Sequence, residues 1–192
     1  GGQLAELAKK ENVFFSIIDY PAPPRATFPY MFASLVGIFN KLGFLPEKSA
    51  DMQQAVSFLA KMVDELDINV PSESNLAKNL AEKLYGNIIV TYGGGVLAGV
   101  ARRWKTQFNE NSKNWAFFEV FPELIHNAIV GYSYPLQARK KLFTVLLRVP
   151  SLNPRLKVQY DAVIKILEEN ELPHEVVDGT GESTFIQVLG LI

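Results

Sequence analysis

The sequence predicts an α/β protein built on a mostly parallel sheet covered by helices on both faces. Three observations predict it. From residue 87 onward, short β-branched and aromatic runs alternate with helix-length amphipathic stretches, which is the pattern of βαβ units. The run ending at Thr91-Tyr92 passes through Gly93–Gly95 into helical periodicity, as a strand-to-helix turn does. Hydrophobic residues make up 48% of the 192 residues and charged residues 20%, enough apolar surface for the core such a sheet needs.

Taken in order, Leu4, Leu7 and Ala8 recur at helical spacing, and Val13–Ile18 (VFFSII) has the content of a short buried strand. Asp19–Arg25 (DYPAPPR) is irregular, because its prolines prevent both a helix and a sheet ladder. Phe28–Leu42 is expected to be a helix that is apolar on more than one face, suited to burial against a second domain or subunit. Ser49–Leu66 is an amphipathic helix. Residues 69–75 read as a linker, with Ser74 capping a helix that runs through Leu84. This divides the chain into residues 1–70 and 71–192. Beyond the linker the expected elements are a strand over 87–91, a tight loop over 93–95 and a helix over 96–108. A strand over 115–121, a short helix over 123–130 and a strand over 142–148 follow. The chain then closes with a helix over 153–170, a strand over 174–177 and a helix from Ser183.

Composition excludes several function classes. The formal net charge is −1, so neither nucleic acid nor an anionic membrane is the expected partner. There is no cysteine, which removes disulfides, thiolate nucleophiles and cysteine-ligated zinc together and suits a cytoplasmic protein. The longest apolar stretch, residues 28–45, is broken by Gly37, Asn40, Lys41 and Gly43, short of the roughly 18 uninterrupted residues of a membrane span. No cofactor motif is present: the glycine triplet has neither the Walker spacing nor GxGxxG. His126 has no second ligand at i+4 in a metal-binding pattern, so no metal is expected, and His174, after Pro173 at a strand start, has no acid-base constellation and reads as structural.

The chemistry concentrates in Arg102–Tyr132 (RRWKTQFNENSKNWAFFEVFPELIHNAIVGY). Glu110 stands between two carboxamides at a helix end, where the macrodipole disfavours an anion and a proton-transfer base is well placed. The residues alone favour a solvated glutamate after a C-cap. His126, in PELIHN, can move protons near neutrality, or be a surface histidine. Tyr92, Gly93 and Gly94 are candidate substrate-binding residues, because backbone N–H groups at a helix N-terminus suit an anion; three glycines equally suit a tight turn. Arg25, after the predicted strand, is a candidate oxyanion contact or a helix cap. Together an arginine, a glutamate and a histidine suit proton transfer next to a carbonyl.

The same residues, YGGGVLAGVARRWKTQFNENSKNWAFFEVFPELIHNAIVGY, resemble the second sugar isomerase (SIS) domain of the bifunctional phosphoglucose/phosphomannose isomerases. RRWK-Q-NENSK and FPEL-HN-IVG occur in the family's order and spacing. GGQLAELAKKENV with PPRATF resembles the end of that family's first SIS domain, which makes residues 1–70 its expected remainder and 71–192 the second SIS domain, a flavodoxin-like parallel sheet. The resemblance implies an aldose-ketose isomerase linking glucose 6-phosphate and mannose 6-phosphate to fructose 6-phosphate without cofactor or metal. It implies that Glu110 is the base moving a proton between C1 and C2 through a cis-enediol, that His126 opens the sugar ring from the neighbouring subunit of a homodimer, and that Arg25 steadies the enediolate. The family's Ser/Thr-rich phosphate loop precedes these residues, and a last helix with a ring-opening lysine follows them. The chain is therefore expected to be a piece of a longer enzyme and poorly active alone. A non-catalytic SIS module that binds sugar phosphates as a regulator, and a dimerisation remnant, are the alternatives.

Overall fold

In the computed structural model, which describes residues 2–192, four strands form one sheet. They are β1 (Ile88–Gly94), β2 (Ala116–Phe121), β3 (Leu142–Arg148) and β4 (His174–Asp178), all parallel, in the order β2-β1-β3-β4. This is the flavodoxin-like order through its fourth strand, and its switch point lies between β1 and β3. Both central strands are buried on both faces, as their mainly apolar runs IIV and LFTVLL require.

The helices are α1 (Gly2–Lys10), α2 (Phe28–Lys41), α3 (Ser49–Glu65), α4 (Leu76–Leu84), α5 (Ala98–Gln107), α6 (Leu136–Arg139), α7 (Pro154–Glu169) and α8 (Thr184–Gly190). Helix α5 packs on β1 and β2. Gly93 permits this close approach: a Cβ there would lie 2.5 Å from the Leu97 carbonyl oxygen and 2.8 Å from the Ala101 Cβ. The Trp104 indole donates to the Leu191 carbonyl, joining α5 to the residue after α8. On the opposite face, Tyr160 of α7 stacks on Phe121 at 4.0 Å between ring centroids, and Tyr92 meets Phe121 edge-on at 6.4 Å. The core therefore lies on both sides of β1 and β3.

The chain divides into two units, one up to Ser49 and one from Ala50 to Ile192. The expected linker at residues 69–75 lies inside the second unit, where Asn75 is 1% exposed. Its amide donates to the Asp67 carbonyl at 3.2 Å, and its Oδ1 accepts from the Lys78 backbone at 3.1 Å. Asn75, rather than Ser74, is thus the cap of α4. Among the described residues no helix is long and apolar enough to cross a membrane.

Three local expectations are corrected. Val13–Ile18 is not a strand but irregular and exposed, with Phe14 at 86%. A strand needs a ladder partner, and the described residues of the first unit contain none. Residues 123–130 do not form a helix but two 3-10 turns, Glu123–Ile125 and Val130–Ser133, with an irregular stretch between them. There the Asn127 side chain takes the Ala128 backbone N–H at 2.6 Å, diverting it from a helical ladder. Finally, β1 does not stop at Thr91 but runs through Gly94, so Gly93 and Gly94 pair within the sheet instead of forming a loop.

Candidate active site

Helix α5 starts at the carboxyl end of β1 and runs back along the sheet, ending in a π-helical turn, Phe108–Ser112, that carries Glu110. Such single π turns often mark functional positions. Polar side chains lock this one. Asn109 donates to the Asn114 carbonyl at 2.8 Å, Ser112 to the Phe108 carbonyl at 2.8 Å and Lys113 to the Glu110 carbonyl at 2.5 Å. Lys113 closes the turn at a φ of 57°, the left-handed region that helix ends use. Asn114 then donates to the Asn87 carbonyl at 3.1 Å, tying the turn to the entry of β1. The NENSKN motif is thus a fixed platform from which Glu110 projects exposed.

Arg103, one turn before Gln107, is half-buried beneath this platform. Burial holds its guanidinium below the usual arginine range, and the negative charge of Glu110 works against that effect. The Gln107 amide bridges Arg103 and Asn111, 3.3 Å from the guanidinium of the first and 2.6 Å from the amide of the second. Sequence reading passed over Arg103. Its signal was the spacing 103, 107, 110/111, which puts the three on one helix face.

Glu110 and His126 lie at opposite ends of the sheet. The turn that carries Glu110 sits at the amino-terminal edge, tied to Asn87 through Asn114. Strand β2 then crosses the sheet, and its six residues place the turn holding His126 beyond the carboxyl edge, a crossing of roughly 20 Å at the usual rise per residue. His126 is exposed, its backbone N–H donating to the Glu123 carbonyl at 2.9 Å. Within one chain the structure does not bring these two groups together. Arg25 belongs to the first unit, half-buried in the 3-10 turn Pro24–Ala26.

Tyr92, Gly93 and Gly94 face protein. Tyr92 is 2% exposed and its hydroxyl lies 2.6 Å from that of Tyr132. A Cβ on Gly94 would lie 2.8 Å from the Phe121 Cβ and 3.1 Å from Leu156 of α7. Leu156 thus closes on the strand end at the switch point, where this class of sheet ordinarily admits a ligand. Among the described residues no group of three or more metal-ligating side chains occurs. Sequence reading also passed over Glu119, a lone acid in the apolar strand AFFEVF, whose carboxyl is pushed up by burial.

Residues 73–192 match the family described as the bacterial phospho-glucose isomerase C-terminal SIS domain. The chain belongs to this family. A bifunctional phosphoglucose/phosphomannose isomerase of Caldicellulosiruptor bescii is 40% identical over 138 residues, covering 70% of this chain and 40% of that protein. The protein of the same name from Aquifex aeolicus is 30% identical over 191 residues, covering 100% of this chain and 55% of its own. A D-glucosamine-6-phosphate 4-epimerase of Sulfolobus acidocaldarius is 32% identical over 133 residues, covering 69% of this chain and 40% of its own. The SIS-domain chain thus spans about half the length of the curated relatives it matches. Two solved structures share the fold. A glucose-6-phosphate isomerase like protein from Thermus thermophilus has a TM-score of 0.60 at 21% identity over 74% of this chain and 49% of its own. Glucosamine-6-phosphate deaminase from Thermotoga maritima has a TM-score of 0.53 at 15% identity over 93% and 50%.

Proposed function

We propose that this chain supplies the proton-transfer groups of an aldose-ketose isomerase acting on glucose 6-phosphate and mannose 6-phosphate, with fructose 6-phosphate as the shared product. Glu110 takes the C2 proton of the ring-opened aldose and returns it to C1, while the hydroxyl proton at O2 leaves and O1 gains one, so that the intermediate is a cis-enediol. His126 assists ring opening, and Arg25 steadies the enediolate charge. The scheme is acid–base chemistry between sugar and side chains and routes no step through a metal or cofactor.

The observation that carries this reading is the locked π turn. It holds one carboxylate exposed, fixes the backbone on either side with side-chain hydrogen bonds, and sets a half-buried arginine beneath it. A merely solvated glutamate needs none of this. The separation of Glu110 from His126 supports a homodimer in which Glu110 of one protomer works with His126 of the partner subunit. The distal phosphate is an anchor whose binding energy serves the reaction, so the test uses the longest natural polypeptide that contains these residues.

A coupled assay follows fructose 6-phosphate formation from each aldose, beside Glu110→Gln. The expected loss is about 10²–10⁴-fold, the range for removing a general base. Equal rates in parent and variant remove Glu110 from that role. No activity in the parent favours a regulatory sugar phosphate-binding module.

A further inference from the structure

The face of the sheet opposite α5 is closed unevenly. Between α7 and the edge strand β2 the cover is the segment 128–139, which holds the 3-10 turn Val130–Ser133 and the short helix α6, and beneath it lies a recess of about 260 Å³ walled by Tyr92, Phe117, Glu119, Tyr132, Arg139 and Thr144, among others. Register puts Glu119 beside Tyr92 and Phe117 beside Val90, so the carboxyl and the aromatic rings stand on the same side of the strands. The recess lies away from Glu110, which stands at the amino-terminal edge of the sheet, and shares Tyr92 with the candidate substrate-binding residues.

Its chemistry is specific. Glu119 is partly buried, and burial pushes its carboxyl up, with no cation or hydrogen-bond donor among the described residues offsetting that effect. The Tyr92 and Tyr132 hydroxyls are turned to each other at 2.6 Å. Arg139, the cationic residue on the wall, is turned to the Asn170 carbonyl. A carboxylate removed from water without a partner is a costly group, and aromatic faces around it favour positive charge. A phosphate or carboxylate ligand is disfavoured by like charge. For size, a cavity of about 150 Å³ holds benzene, so this recess has room for one ring with a substituent.

We propose that this recess is a second ligand site, taking a small organic cation: a protonated amine on a compact apolar body, with the ammonium on Glu119 and the apolar part against Phe117, Tyr92 and Tyr132. The ammonium donates to the open carboxylate as a charge-assisted hydrogen bond, and the body displaces water from an apolar wall.

The test titrates the 192-residue chain calorimetrically at neutral pH with cyclohexylammonium and with cyclohexanol, a neutral molecule of the same shape. The expected result is saturable binding of the amine at one site, weakened about tenfold or more in the alcohol and in Glu119→Gln. Shifts of Tyr92, Glu119 and Tyr132 in the NMR spectrum of the unaltered chain locate the site without a variant. Equal binding of amine and alcohol, undiminished binding in Glu119→Gln, shifts confined to other surface acids, or no saturable binding each overturn the proposal.

Discussion

The hydroxyls of Tyr92 and Tyr132 lie 2.6 Å apart, one on a central strand and the other on the 3-10 turn Val130–Ser133 that covers it. This contact fastens the segment following the His126 turn to the sheet. Burial pushes both phenols up, so both stay protonated across the working pH range. Truncating one partner leaves the other hydroxyl buried and unmatched. Tyr132→Phe should therefore cost about 1–3 kcal/mol, while adding Tyr92→Phe to it should cost little more, because an orphaned group is worse than an absent pair. A double-mutant cycle by urea unfolding measures the expected coupling.

Glu119 gives a pH signature. Burial raises its carboxyl in the folded state, and the unfolded reference is about 4.3. A raised folded value means the folded state holds its proton more tightly. The associated stability is fully present below about pH 4 and is lost as pH rises through the folded value. Glu119→Gln cannot ionise, so it should be more stable than the parent at neutral pH, with the gap closing under acid. Unfolding curves across that window check both the sign and the closure.

Two glycines separate packing from propensity. A Cβ on Gly93 meets backbone at 2.5 Å, whereas one on Gly99, inside α5, meets nothing within 4 Å. Gly93→Ala should therefore lose about 1–3 kcal/mol through overpacking. Gly99→Ala should gain up to about 1 kcal/mol through helix propensity. Midpoints of denaturant unfolding with unchanged slopes report each.

Much of the sheet unit was legible because its signals are local. The runs at Leu142–Arg148 and Ala116–Phe121 are apolar and β-branched or aromatic, and the stripe of α7 has helical period, so strand and helix follow from the residues themselves. Val13–Ile18 shows the limit, since its composition is that of a strand but a ladder requires a neighbour that composition does not report. Residues 123–130 depart from the expected helix for a related reason, as the apolar spacing suits a helix but the Asn127 side chain competes for the backbone. At the site, Glu110 was visible from its odd placement between carboxamides. The π turn, the Arg103 beneath it and the distance to His126 needed three dimensions. That Gly93 packs against Ala101 and Gly94 against Leu156 likewise needed the fold.

The central claim is that one active site draws Glu110 from one protomer and His126 from another. Its direct measurement mixes Glu110→Gln with His126→Asn in the longest natural polypeptide, each inactive alone, under conditions where subunit exchange is verified. Random exchange makes about half the dimers mixed, and each of those regains one of two sites, so isomerase activity should return to about a quarter of the parent level. No recovery after verified exchange contradicts the shared site.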